Sequence, residues 1–107
     1  MNPLRPFELI YPPIIKAHLK TIEPKYFPLI GESLEKQLRY QPDTENRNRK
    51  PLKRPITFGA QWEVRFGPGN IFRAFYKFNR EEYQVEILAI GIKKNSRLNV
   101  GGQEYEI

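Results

Sequence analysis

Arg65 and Arg73 are the residues whose placement first suggests chemistry. Each lies in a stretch that alternates apolar and polar side chains, Gln61–Phe66 and Ile71–Phe78. Trp62, Val64 and Phe66 share one side of the first, with Gln61, Glu63 and Arg65 on the other. Phe72, Ala74, Tyr76 and Phe78 share one side of the second, with Arg73 and Lys77 opposite. Period-two alternation marks strands with one buried face. Both apolar sets carry even numbers, and opposed residues share a face. Paired numbers must therefore sum to an even value, the loop has an odd length, and Gly67-Pro68-Gly69 forms its heart. Arg65 and Arg73 then project together from the non-core face. Two adjacent cations repel. An anionic ligand would remove that repulsion, and so would a surface acid such as Glu63 or Glu86.

More cations gather nearby. Arg47, Arg49, Lys50, Lys53 and Arg54 put five positive charges into eight residues, between Pro42 and Pro55. Lys93, Lys94 and Arg97 follow a long apolar run. Arginine forks fit phosphate oxygens bidentately. A lysine crowded by other cations loses its proton more readily, so such a cluster can move protons without histidine. Other chemistries lack their parts. There is one histidine and no cysteine, so no metal-ligand set is expected and no disulfide framework. His18 falls among the apolar positions of a helical stretch and reads as a packing residue. Gly67-Pro68-Gly69 lies between two strands, so it is a hairpin turn and not a phosphate loop. No nucleophile–base pair of the serine hydrolase kind is present.

The elements that must position these groups can be drawn in order. Phe7–Tyr11 is β-prone and ends at Pro12 and Pro13. Ile14, Ile15, His18, Leu19 and Ile22 mark a helix face closed by Pro24. A second helix runs from Tyr26 to Tyr40, with Leu29, Ile30, Leu34 and Leu38 as its stripe. The short connection makes an αα-hairpin whose apolar face suits the one carrying Trp62, Val64, Phe66, Phe72 and Tyr76. Gln41 to Ala60 has no apolar period and reads as a long basic loop. A third strand, Tyr83–Ile92, is apolar on both faces, with Val85, Ile87 and Ala89 one way and Leu88, Ile90 and Ile92 the other. That suits the centre of a sheet. The residues after Gly101 alternate weakly, as a terminal edge strand or a loose tail. The fold class is α+β: an N-terminal strand and αα-hairpin packed on a small antiparallel sheet.

The chain has 107 residues, the size of one domain, and the whole of 1–107 reads as one. Lys and Arg outnumber Asp and Glu by 18 to 12. The formal charge of +6 favours phosphate-rich or acidic partners. No secretory signal or membrane span is legible, and no cysteine is used, so a cytoplasmic protein is expected.

The order strand, αα-hairpin, basic loop and meander resembles the RelE/ParE superfamily of bacterial toxins from type II toxin–antitoxin systems. The resemblance rests on Trp62-Glu63-Val64-Arg65-Phe66, on Phe72-Arg73-Ala74-Phe75-Tyr76, and on Ile87-Leu88-Ala89-Ile90-Gly91-Ile92-Lys93-Lys94. The string Arg47-Asn48-Arg49-Lys50-Pro51-Leu52 is also similar. The resemblance implies a RelE-like, ribosome-dependent endoribonuclease that cuts mRNA by 2′-hydroxyl attack, without metal or small-molecule cofactor. Its partners would be mRNA on the ribosome and a cognate antitoxin. Arg65, Arg73, Lys50 and Lys93 would be catalytic. Arg47, Arg49, Lys53, Arg54, Lys94, Arg97 and Tyr76 would bind substrate. The alternative it implies is a ParE-like DNA gyrase inhibitor or a degenerate toxin that only binds. RelE-like toxins often carry a C-terminal Tyr or His that stacks on the substrate. Asn95 to Val100 has no aromatic residue, and Tyr105 is the nearest candidate.

Overall fold

The computed structural model describes residues 5–53 and 58–106. Its elements run β1 (Glu8–Ile10), α1 (Ile14–Leu19), α2 (Phe27–Leu38), β2 (Arg49–Pro51), β3 (Trp62–Phe66), β4 (Phe72–Asn79), β5 (Gln84–Lys94), β6 (Arg97–Val100) and β7 (Gln103–Glu106). One sheet takes the order β2-β3-β4-β5-β6-β7, antiparallel throughout, while β1 runs parallel to the start of β5. The architecture is α+β, as expected.

The first hairpin has the register that its alternation requires. Trp62 faces Tyr76, Val64 faces Ala74 and Phe66 faces Phe72. These apolar side chains join Ile30, Leu34 and Leu38 of α2 and Ile15 of α1 in the main core. In α2 the buried positions recur every four residues, the spacing of one helix face. The first helix is shorter than its apolar pattern suggests. It ends at Leu19, and the Thr21 hydroxyl donates to the His18 carbonyl at 2.7 Å. A threonine side chain that takes a helix carbonyl competes with the next turn. Pro24 opens a single 3₁₀ turn leading into α2.

β5 departs from its expected phase. Phe75 faces Ala89, but Tyr76 faces Ile87, so Leu88 is the extra residue of a bulge. Val85, Ile87 and Ile90 therefore all reach the main core. Ala89, expected beside Val85 and Ile87, belongs to the opposite face. That opposite face is not bare either. Phe75, Ala89, Leu98, Val100 and Ala60 form a second, smaller core, with Phe58 and Tyr105 packed against it.

Three segments are more ordered than their sequence suggests. Within the basic loop, Arg49, Lys50 and Pro51 pair with Val64, Glu63 and Trp62. Pro51 is tolerated because β2 is an edge strand. Asn95 and Ser96 take positive φ, 50° and 67°, and make a two-residue turn into β6. Gly101 and Gly102, at 60° and 83°, make the next one into β7. Positive φ at both central positions gives turns whose twist matches paired strands. No helix among the described residues is long and apolar enough to cross a membrane.

Candidate functional site

The sheet brings several of the expected site residues onto the face away from the helices. Lys50 faces Glu63, Arg65 faces Arg73, and Arg73 faces Gly91 on β5. Lys93 lies one cross-sheet row further on, facing Leu98, which in turn faces Tyr105. Side chains alternate along strands, so Lys50, Glu63, Arg65, Arg73, Lys93 and Tyr105 share this face. Two strand spacings and one row separate Arg65 from Lys93, roughly 12 Å between backbones, within reach of two long side chains turned towards each other.

Glu63 organises the cluster. Its Oε1 accepts a hydrogen bond from Arg65 Nε at 3.1 Å and forms an ion pair with Arg73, whose Nε also lies at 3.1 Å. The repulsion expected between the arginines is thus relieved by a carboxylate of the protein itself. The two arginines are held differently. The Arg73 side chain is 7% exposed, and its Nη1 donates to the carbonyls of Asn70 and Phe72. Burial pushes its guanidinium below the ordinary value, Glu63 opposes that shift, and the Arg65 charge adds to it. Arg65 is 36% exposed and is bound through Nε. Its terminal nitrogens have no protein partner among the described residues. Lys50 is exposed and Lys93 half-buried. Arg65, Lys50 and Lys93 are therefore the cations available to an anion, and Arg73 is a buried buttress behind them.

The remaining expected residues lie elsewhere. Arg49 turns inward and is 6% exposed. It donates to the Gln37 carbonyl at 2.5 Å, the Thr44 carbonyl at 2.9 Å and Gln37 Oε1 at 3.2 Å. Through the Gln37 carbonyl this cation sits at the C-terminal end of α2, where the helix dipole favours positive charge, and through Thr44 it ties in the loop that follows. The substrate role expected of Arg49 gives way to this structural one. Tyr76 is corrected likewise. It has no exposed surface, lies in the main core, and donates its hydroxyl to the Pro42 carbonyl at 2.6 Å. Burial raises the Tyr76 phenol well above its usual value. A side chain so enclosed has no surface to offer a ligand.

Lys94 and Arg97 face each other on the helix side of the sheet, and Arg97 pairs with Glu104 at 3.0 Å. They flank a groove of 690 Å³ that also involves Thr21, Asn95 and Asn99. Arg47 and Lys53 are exposed on either side of β2. Arg54 lies outside the described residues.

Glu63 is the residue that sequence reasoning passed over as a functional one. Its signal was present: it is two residues before Arg65 and so shares its face. His18 is buried at 6% exposure, as a packing residue would be. It has a task that no pattern announces. β5 pairs with β1 over Gln84–Glu86 and with β6 from Gly91 onward, which leaves a gap between the two on the same edge. His18 fills that gap, and its Nδ1 accepts from the Ile90 N–H at 3.3 Å. Among the described residues no group of three potential metal ligands comes together.

No family model matches the chain, and no curated protein matches it. Among solved structures, the toxin–antitoxin complex RelBE2 from Mycobacterium tuberculosis matches with a TM-score of 0.61 and 21% identity. The match covers 82% of this chain and 99% of that one. At this level of identity the likeness is one of fold, and the chain has a RelE-like toxin fold.

Proposed function

We propose that this chain is the toxin of a type II toxin–antitoxin module and that it cuts mRNA on the ribosome. The observation that carries this reading is the cluster of Lys50, Arg65 and Lys93 on one face of a RelE-like toxin fold, braced by Glu63 and Arg73. In the reaction the 2′-hydroxyl attacks the adjacent phosphate, and charge grows on the phosphorane oxygens. Arg65 offers its free terminal nitrogens to that charge, and fixed cations in a partly water-excluded site are effective stabilisers. Tyr105 lies on the same face and supplies the C-terminal aromatic surface. The matched structure is a toxin–antitoxin complex, which supports an antitoxin as this chain's partner. A net charge of +6 suits an acidic or amphipathic antitoxin segment. A ribosomal target would put the protein in the cytoplasm.

A second reading has an observation of its own. Glu63 already neutralises both arginines, which suits a fold that binds without cleaving, such as a gyrase inhibitor or a degenerate toxin. Controlled expression in a bacterial host, with primer extension on a reporter mRNA, separates the two. Cleavage predicts growth arrest with translation-dependent cuts, reduced about 10²-fold or more by Arg65→Ala, the scale of losing one transition-state donor. Arrest without cuts would sink the nuclease reading and leave the binding one.

A further inference from the structure

The inference drawn here rests on the nuclease reading and adds a residue to it. We propose that Glu63 is the general base that takes the proton of the attacking 2′-hydroxyl. Its geometry is that of an anchored acceptor. Oε1 is tied to two guanidinium Nε atoms, and Oε2 has no partner among the described residues. The Glu63 side chain is 20% exposed, so it is neither sealed in nor free to swing. It shares its face with Arg65 and Lys50, the cations open to a phosphate. A base must lie within hydrogen-bond reach of its proton in a plausible substrate pose. A phosphate held on the Arg65 fork brings its neighbouring ribose to the open oxygen.

Competing bases are poorly suited. Guanidinium groups do not deprotonate in proteins. A lysine must first lose its proton. His18 sits in the gap along the β5 edge with its Nδ1 engaged. The other strand carboxylates on this face lie towards the opposite end of β4, where Glu86 pairs with Lys77 and Glu8 faces Gln84.

The step balances as a transesterification. The 2′-oxygen–phosphorus bond forms, the phosphorus–5′-oxygen bond breaks, and the 2′-hydroxyl proton passes to Glu63. The 5′-oxygen takes a proton from a lysine ammonium, Lys50 or Lys93. The products are a 2′,3′-cyclic phosphate and a 5′-hydroxyl, and solvent then restores both side chains.

The test is single-turnover cleavage of mRNA on purified programmed ribosomes between pH 6 and 8.5, comparing wild type with Glu63→Gln. Glutamine keeps an oxygen for the arginines and cannot accept the proton. The variant is expected to lose roughly 10²–10⁴-fold in rate, the usual worth of a positioned base, while binding programmed ribosomes at least as tightly. Its residual rate should climb with hydroxide concentration, because hydroxide then has to do the work of the missing carboxylate. A Glu63→Gln protein with the wild-type rate and profile would reduce Glu63 to a counter-ion and overturn the assignment alone. Wild type that makes no cuts would overturn both the assignment and the nuclease reading. Should Glu63→Gln fail to fold, Glu63→Asp carries the test. A base displaced by one methylene predicts a loss of about 10²-fold, as misplacement by an ångström does, and an undiminished rate refutes it.

Discussion

Arg49 gives the sharpest prediction, because its basic neighbourhood points one way and its contacts another. It belongs to a string of cations expected to meet phosphate, yet it is 6% exposed and holds three oxygens from Gln37 and Thr44. Arg49→Ala removes a charged donor and leaves the Gln37 carbonyl at the end of α2 and the Thr44 carbonyl in the following loop without it. Hydrogen bonds from charged groups contribute about 1.5–3 kcal/mol each when measured singly. The three here share one guanidinium, and water entering the vacated space recovers part of the loss. The net destabilisation should be about 3 kcal/mol. For a domain of this size that lowers Tm by roughly 12–20 °C.

Urea unfolding followed by far-ultraviolet circular dichroism measures this directly. The midpoint should fall with little change in slope, since the surface exposed on unfolding is nearly the same. Arg49→Lys should recover only part of the loss, because one ammonium cannot span three acceptors in a planar fork. Arg47→Ala, two residues away and exposed, should stay within about 0.5 kcal/mol of wild type. If Arg49→Ala costs no more than Arg47→Ala, the anchoring account is wrong and the side chain is free to serve a ligand.

Three further outcomes follow from single positions. Gly91→Ala should destabilise by about 1–3 kcal/mol in the same assay, because the added carbon would stand 2.6 Å from the Asn99 carbonyl oxygen and from Val100 Cγ2. Gly31→Ala should stabilise by up to about 1 kcal/mol, the helix preference of alanine over glycine, because nothing lies within 4 Å of the added carbon. Stability should fall as pH drops below about 6.5, the pKa of histidine in an unfolded chain, because burial holds the His18 pKa lower in the fold. The unfolded state then takes the proton first, and the loss continues until the folded pKa is passed; a His18→Gln variant, which cannot titrate, should lack that slope.

How far the sequence reveals this fold depends on whether a feature is local. The β3–β4 hairpin was legible because its alternation and its odd loop are properties of eighteen neighbouring residues, Gln61 to Phe78. The buried stripe of α2 was legible for the same reason. β2 was not, because Arg49-Lys50-Pro51 has no strand pattern of its own and is ordered by an edge that β3 offers it. β6 was not legible, because the turn into it depends on backbone conformations that Asn95-Ser96 permits without requiring, and the weak alternation after Gly101 left β7 open between an edge strand and a loose tail. In the candidate site, the shared face of Arg65 and Arg73 followed from parity alone. Their unequal burial did not, since Arg73 is enclosed by carbonyls of the turn before it and by Glu63 across the pair.

The bulge at Leu88 ties these observations together. Without an extra residue, strict alternation in β5 would send Ala89 to the helix side with Val85 and Ile87, and Ile90 and Ile92 to the opposite face. The bulge returns Ile90 to the main core and gives Ala89 and Gly91 to the other side, opposite Phe75 and Arg73. Small residues then stand where the sheet must accept Phe58, Leu98 and Val100 from neighbouring segments. The same change of phase sets Lys93 on the face of Arg65 and leaves Lys94 on the helix side. One inserted residue thus builds the second core and sorts the terminal lysines between the two faces. Two changes separate the roles of residue and phase: straightening the bulge with Leu88 retained would turn Lys93 away from the arginines and empty the second core, whereas deleting Leu88 joins Ile87 to Ala89 in plain alternation and leaves Lys93 on the face of Arg65.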